Sequence, residues 1–231
     1  MPCPETLRGP RQRVANMPNV FWFAVVGGFL LGVMRQKIID IIPEQYNSDP
    51  LPISFFDELE FNMLKISNMK TVNREMLNNP NVKGMLGVIR YGEGTYDANG
   101  YRRMFGGKLF DSYSDHPRIV NTFTLKNGKK LSSTAAGAYQ FLSSTWDETA
   151  KTMGLKDFSP ENQDFGALGR IAARGALNDV LQGNFTAAIK KLGKEWASLP
   201  FSPYGQPVIS LDKARDIFAA NGGVSKDTTF V

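Results

Sequence analysis

The sequence predicts an α+β fold: one mainly helical domain carrying a small β-wing, preceded by a single hydrophobic helix near the N-terminus. Three observations lead there. An apolar stripe with a capped start defines a helix from Asn79 and Pro80 onward. Residues 101–131 lose that period and become rich in β-branched and aromatic residues, with Gly-Gly and Asn-Gly turns. After them the chain returns to helix starts and stops as far as Gly222 and Gly223.

Composition sets the outer bounds. The chain has 231 residues, 42% hydrophobic and 21% charged, enough for one good domain plus an appendage. Its formal net charge of +5 favours an anionic partner such as a membrane surface or a cell-wall polymer. The basic residues are scattered among acidic ones and form no nucleic-acid-binding motif, so nucleic acid is not the expected partner. Cys3 is the one cysteine, which excludes an internal disulfide and a cysteine-built zinc site. His116 is the one histidine, in SDHP, and no nucleophile elbow accompanies it. It reads as a loop histidine that packs or caps locally before Pro117. No metal or cofactor is expected.

Taken in order, the first element is Val14–Met34, VANMPNVFWFAVVGGFLLGVM, a run without charge. Arg8, Arg11 and Arg13 precede it; Arg35 and Lys37 follow. Its length just suffices to cross a bilayer as a helix, and Phe21, Trp22 and Phe23 suit an interface. Gly27, Gly28 and Gly32 make it only moderately apolar. The run ends in VMRQK, without the small residues of a cleavage site, so removal as a signal peptide is not expected. The alternative is a core helix of a larger assembly. The expected organisation is an anchor and linker over 1–50, a connecting helix within 51–79, a catalytic domain over 80–222 and a tail over 223–231. In the connecting segment Phe56, Leu59, Met63 and Ile66 recur at helical spacing, and the helix should end before NREMLNNPN.

In the main domain Val82, Met85, Leu86 and Ile89 fall at i, i+3, i+4 and i+7 from the Asn79–Pro80 start. Four residues further on stands Glu93, in VIRYGEGT. A carboxylate there faces the core at the negative end of a helix, and both conditions disfavour its charged form. Its pKa should rise toward that of an acid still protonated near neutral pH. Gly92 and Gly94 end the helix and leave room for a ligand. The alternative is a glutamate that turns to solvent beyond Gly92. In the wing, Asn127–Gly128 between TFTLK and KKL signals a hairpin. The later helices are expected at Thr145–Met153, stopped by Gly154; from Ser159–Pro160 toward Gly175; at Phe185–Leu199; and at Leu211–Ala220, capped by Ser210. A cleft should lie between wing and helices.

The segments GEGT, FGGKLFDSYSDHP, STAAGAYQFLSSTWD, MGLKDFSPENQD, RGAL and WASLP…YGQ stand in one order over Val82–Gln206. In that order they closely resemble the phage lambda type endolysins, lysozyme-like lytic transglycosylases. The resemblance does not cover the first 80 residues. It implies a catalytic acid at Glu93, peptidoglycan glycan strands as substrate, and a sugar-binding cleft formed by Tyr113, Ser114, Asp115, Tyr139, Gln140 and Tyr204. Turn and packing chemistry is the competing role for each of these six.

Residue chemistry bears on the reaction. Glycoside hydrolases generally use two carboxylates. Hydrolytic phage lysozymes place an aspartate nine residues after the glutamate and a threonine six beyond it, but here those positions hold Arg102 and Lys108. A lytic transglycosylase manages with one carboxylate, because the muramyl C6 hydroxyl attacks C1 of its own sugar and gains from proximity. A hydrolytic muramidase would need Asp97, Asp111 or Asp115 as its second group. A non-catalytic wall-binding virion protein on the same fold is the third reading. The hydrophobic segment implies a membrane partner and a place at the host inner membrane with the domain in the periplasm. A virion-borne enzyme with other virion proteins as partners fits the sequence equally.

Overall fold

In a computed structural model of the chain, the residues described are 53–124, 128 and 130–227. The uncharged run 14–34 and Asn127 lie outside them. Helix α1, Ile53–Met69, ends before the asparagine-rich stretch that begins at Asn73, as expected. Leu59, Met63 and Ile66 are half-buried along it, while Phe61 and Leu64 on its other side are exposed. It lies along the helical body, where Lys65 pairs with Glu148 at 2.8 Å. Among the described residues no helix is long and apolar enough to cross a membrane.

A 3-10 turn, Arg74–Asn78, leads into α2, Pro80–Gly92. Asn79 caps α2 as its sequence requires: the side-chain oxygen accepts from the Asn81 and Val82 amides, and Pro80 takes the first helical position. Val82, Met85, Leu86 and Ile89 are all buried, joined by Val88. Gly84 and Gly87 let neighbouring chain approach, since a β-carbon at Gly84 would stand 2.7 Å from the Phe218 ring.

The wing follows. Strands β1, Asn121–Thr124, and β2, Lys130–Ser133, pair antiparallel with Phe123 opposite Leu131 and Asn121 opposite Ser133. Single bridges Met104–Ala136 and Ala136–Phe141 fasten the wing's root to the body. Under that root Phe110, Phe141, Trp146 and Phe158 form an aromatic cluster, with Trp146 and Phe158 edge-to-face at 4.6 Å.

Helices α3, Ser143–Met153, and α4, Pro160–Ala173, complete the centre. Helix α3 starts two residues before the expected Thr145 and stops at Gly154, whose φ of 69° is left-handed. Helix α4 is buried over most of its length and packs against both α1 and α3. Then come α5, Leu177–Gln182, and α6, Phe185–Leu192. Helix α5 was not expected: it spans 6 residues, too few to show a period. The expected helix Phe185–Leu199 is corrected. It ends at Leu192, because Gly193 lies under the returning chain, where a β-carbon would stand 2.8 Å from the Pro200 carbonyl. Residues 194–200 form turns instead. Helix α7, Leu211–Ala220, has its expected bounds and its Ser210 cap, and packs across α2.

Candidate active site

Glu93 is the cap residue at the carboxyl end of α2, its amide donating to the Ile89 carbonyl at 2.9 Å. It is half-buried. Burial pushes its pKa above the usual carboxylate value, and a hydrogen bond from Ser198 works against that rise without cancelling it. The Ser198 hydroxyl donates to Glu93 Oε1 at 2.6 Å. Gly92 makes this contact sterically feasible, since a β-carbon there would lie 2.7 Å from Ser198 Oγ. Gly94, at φ 68°, turns the chain away and has open space beside it.

The turn after Glu93 is tied down on two sides. Thr95 is fully buried, and its hydroxyl donates to the Ala138 carbonyl at 2.6 Å. Arg90 Nη2 donates to the Thr95 and Asp97 carbonyls, both at 3.3 Å, with its guanidinium over the Tyr101 ring. Glu93 therefore sits where the helical body meets the root of the wing.

The six residues that the motif order marked for substrate fall into distinct environments. Tyr139 is buried, 2% exposed, with its hydroxyl donating to Asp164 at 2.6 Å. Tyr101 donates to the same Asp164 oxygen at 2.8 Å, and burial raises the pKa of all three groups. The expectation that the Tyr139 ring lines a sugar is therefore corrected: it offers no open face. Gln140, half-buried, donates from Nε2 to the Arg103 and Gly137 carbonyls. Tyr113 packs edge-on against Phe110, half-buried. Ser114 and Asp115 are exposed on the same wing segment. Tyr204 is 55% exposed on the loop after Ser198, its hydroxyl bonded to the Lys194 carbonyl.

His116 is buried and neutral in role. Nε2 donates to the Phe141 carbonyl at 2.9 Å and Nδ1 accepts from the Arg118 amide at 3.1 Å. Desolvation holds its pKa below the ordinary value. It packs the wing root, as its setting in SDHP suggested. The residue that sequence reasoning missed is Ser198. Its signal was present, since it stands inside WASLP, but nothing in that string reveals that a distant hydroxyl returns to the carboxylate.

The alternative second carboxylates are all engaged by arginines. Asp97 pairs with Arg103 at 2.6 Å, Asp111 with Arg102 at 2.8 Å and Asp115 with Arg118 at 3.1 Å. The Arg103 hydrogen bond holds Asp97 below its usual pKa, and at Asp115 the bonds from Arg118 and the His116 amide outweigh a desolvation that acts the other way. A separate cavity lined by Met69, Val72, Met153 and Phe165 lies between α1, α3 and α4 and contains none of these residues.

Comparison with known proteins gives a consistent picture. The endolysin family matches residues 83–225. The chain is similar to the endolysin of Escherichia phage lambda, 41% identical over 151 residues that make up 63% of this chain and 93% of that protein. It is similar to the endolysin of Escherichia phage P2, 37% identical over 158 residues, 62% of this chain and 94% of the relative. Among solved structures it resembles bacteriophage lambda lysozyme complexed with a chitohexasaccharide, at 40% identity and a TM-score of 0.59, over 64% of this chain and 97% of that one.

Proposed function

This chain belongs to the endolysin family, its described part has the lysozyme-like fold, and on that premise we propose that Glu93 cleaves the β-1,4 bond between N-acetylmuramic acid and N-acetylglucosamine by lytic transglycosylation. The chain is a phage peptidoglycan-degrading enzyme. A sugar-binding surface is in keeping with the chitohexasaccharide held by the similar lambda lysozyme.

One observation carries the proposal on reaction type: Glu93 is a half-buried carboxyl with a raised pKa, while the nearby aspartates in sequence are each committed to an arginine. Protonated Glu93 gives its proton to the glycosidic oxygen as the bond to C1 breaks. The resulting carboxylate keeps the Ser198 hydrogen bond, which favours the charged form. It then accepts the proton of the muramyl C6 hydroxyl as that oxygen attacks C1 of the same sugar. The product carries a 1,6-anhydro end, no water is consumed, and Glu93 is again protonated. Proximity of the attacking hydroxyl replaces a second carboxylate.

Tyr113, Ser114, Asp115, Gln140 and Tyr204 are read as lining residues of the glycan path. Val14–Met34 is read as a membrane anchor that leaves the domain in the periplasm for host lysis. A virion location, serving wall penetration during infection, is the other reading of that segment. Mass spectrometry of muropeptides released from purified sacculi tests the chemistry. Anhydro-muramyl ends are expected. Reducing ends that carry oxygen from labelled water would make the enzyme a hydrolase.

A further inference from the structure

Three non-glycine residues among those described have left-handed backbones: Arg118 at φ 55°, Gln140 at 48° and Phe201 at 64°. The first two have side chains held in place by specific hydrogen bonds. Arg118 donates to Asp115 and Asp147, the latter at 2.6 Å. Gln140 donates to two backbone carbonyls. Phe201 has no comparable hydrogen bonds, and the residue is 50% exposed.

The backbone around Phe201 makes the choice of residue stand out. The Ser202 amide donates to the Leu199 carbonyl at 3.3 Å, closing a turn with Pro200 second and Phe201 third. Proline second and a positive φ third define a type II turn, whose third position belongs to glycine. A bulky side chain is disfavoured there. Such strain persists mainly where a side chain has work to do.

The ring's neighbour is the Lys190 ammonium, 5.4 Å from its centroid. Lys190 is exposed in the last turn of α6, and no described carboxylate pairs with it. Its neighbour Lys191, by contrast, is paired with Asp179 at 2.7 Å. The site lies close to the acid. Ser198 touches Glu93, and three residues of chain from Ser198 to Phe201 reach at most about 10 Å. On the same loop Tyr204 is fastened to the end of α6 through Lys194.

An exposed ring beside a cation that no described carboxylate pairs suits a ligand that is apolar on one side and anionic on the other. A plain amino-sugar polymer offers no anion. The muramyl unit of peptidoglycan does, because its lactyl ether carries a peptide with free carboxylates. We propose that Phe201 and Lys190 together recognise the peptide-bearing sugar next to the scissile bond, the ring against its apolar face and the ammonium on a stem-peptide carboxylate. This rests on the peptidoglycan-cleaving reading above and adds specificity to it.

The test compares cleavage of peptide-bearing glycan strands with the same strands stripped of peptide by an amidase, using the full chain. Clearing of sacculi by the wild type, lost in Glu93→Gln, first establishes the enzyme, so failure of that reading shows separately. The wild-type ratio of kcat/KM, peptide-bearing over stripped, should fall about fivefold in Phe201→Gly and roughly threefold in Lys190→Gln. Phe201→Gly should melt no lower than wild type, because glycine relieves the turn. An unchanged ratio in either variant overturns the paired site. A lowered melting temperature in Phe201→Gly would assign the ring to packing and overturn it as well.

Discussion

On the helical side of Glu93, α2 and α4 place Val82, Met85, Val88, Ile89, Leu168 and Ile171 out of solvent. On the wing side, Phe123 is 51% exposed and Leu131 38%, and each strand is 4 residues long. The two regions are also charged differently. The helical body holds Arg170, 4% exposed, between Glu195 and Glu148, with Arg174 on the same Glu195. Desolvation opposes the Arg170 charge, yet the two glutamates outweigh it and raise its pKa. The wing relies on Arg118 with Asp115 and Asp147, all well exposed. An isolated two-stranded hairpin is marginal on its own. The acid is therefore fixed by a packed frame, whereas the surface presented beside it depends on a few root contacts: Thr95 to Ala138, His116 to Phe141, and the aromatic cluster.

The sharpest break of this contrast is at the acid itself. Glu93→Gln is expected to reduce clearing of sacculi by about three orders of magnitude, the range of general acid catalysis. The frame should survive, because glutamine keeps shape and can still accept from Ser198. The pH dependence has a definite sign. The folded-state pKa of Glu93 is raised, so its contribution to stability is fully present below the unfolded value and is lost as pH rises through the folded one. Glutamine lacks that loss, so the variant should gain on the wild type as pH increases from 4 toward 8, as read by denaturant unfolding. A variant that clears normally removes Glu93 from the mechanism.

Next in size is Glu195→Ala, which attacks the frame through charge. It leaves Arg170 buried with Glu148 alone and removes the partner of Arg174. Loss of one member of a buried pair costs about 3–5 kcal/mol, and the surviving Glu148 contact sets the expectation at the low end, about 3 kcal/mol. Glu195 also lies beside Trp196, whose indole donates to the Tyr139 carbonyl at 3.1 Å. Activity measured well below the melting temperature should fall less than stability does. A stability change under about 1 kcal/mol would mean that the network is no more than surface pairing.

Ser198→Ala is a finer probe, because it touches the carboxylate without removing it. A hydrogen bond to a charged group contributes about 1.5–3 kcal/mol, so kcat is expected to fall roughly tenfold. The Ser198 bond lowers the Glu93 pKa, hence its removal should raise that pKa further. In the proposed mechanism Glu93 acts protonated, so the alkaline limb of the pH–rate profile should move to higher pH. A fall in rate without that movement would make Ser198 a packing residue.

The same contrast explains what could be read from the chain. Helix α2, its Asn79 cap, α7 and its Ser210 cap were legible because caps and apolar period act locally. The half-buried setting of Glu93 and its raised pKa were legible because it continues the α2 stripe. The wing was legible from its change in composition. What escaped depends on contacts between distant segments. Ser198 reaches Glu93 across 105 residues of sequence. The end of α6 at Leu192 is set by the approach of Pro200 to Gly193, which no local pattern encodes. Tyr139 carries the motif for a cleft residue, yet its burial on Asp164 is a tertiary outcome. Aromatic residues in a motif string do not announce which of them face water.

The smallest expected effect is on the wing, at Arg118→Ala. Arg118 reaches Asp147 by two hydrogen bonds, at 2.6 and 3.0 Å, and its side chain and that of Asp147 are 43% and 54% exposed. Geometry alone would suggest a strong pair. Exposure argues otherwise, since solvent and salt screen the attraction and ordering two side chains costs entropy. The left-handed φ of Arg118 is unfavourable for alanine as well, so the backbone contributes little to the difference. The substitution is expected to cost under about 1 kcal/mol at low salt and to fall toward zero near 1 M salt, where the Debye length is about 3 Å. Urea unfolding of both proteins at the two salt concentrations reads this directly. A cost near 3 kcal/mol that persists in high salt would show the wing to be held as firmly as the helical frame, and the contrast between the two sides of Glu93 would fail.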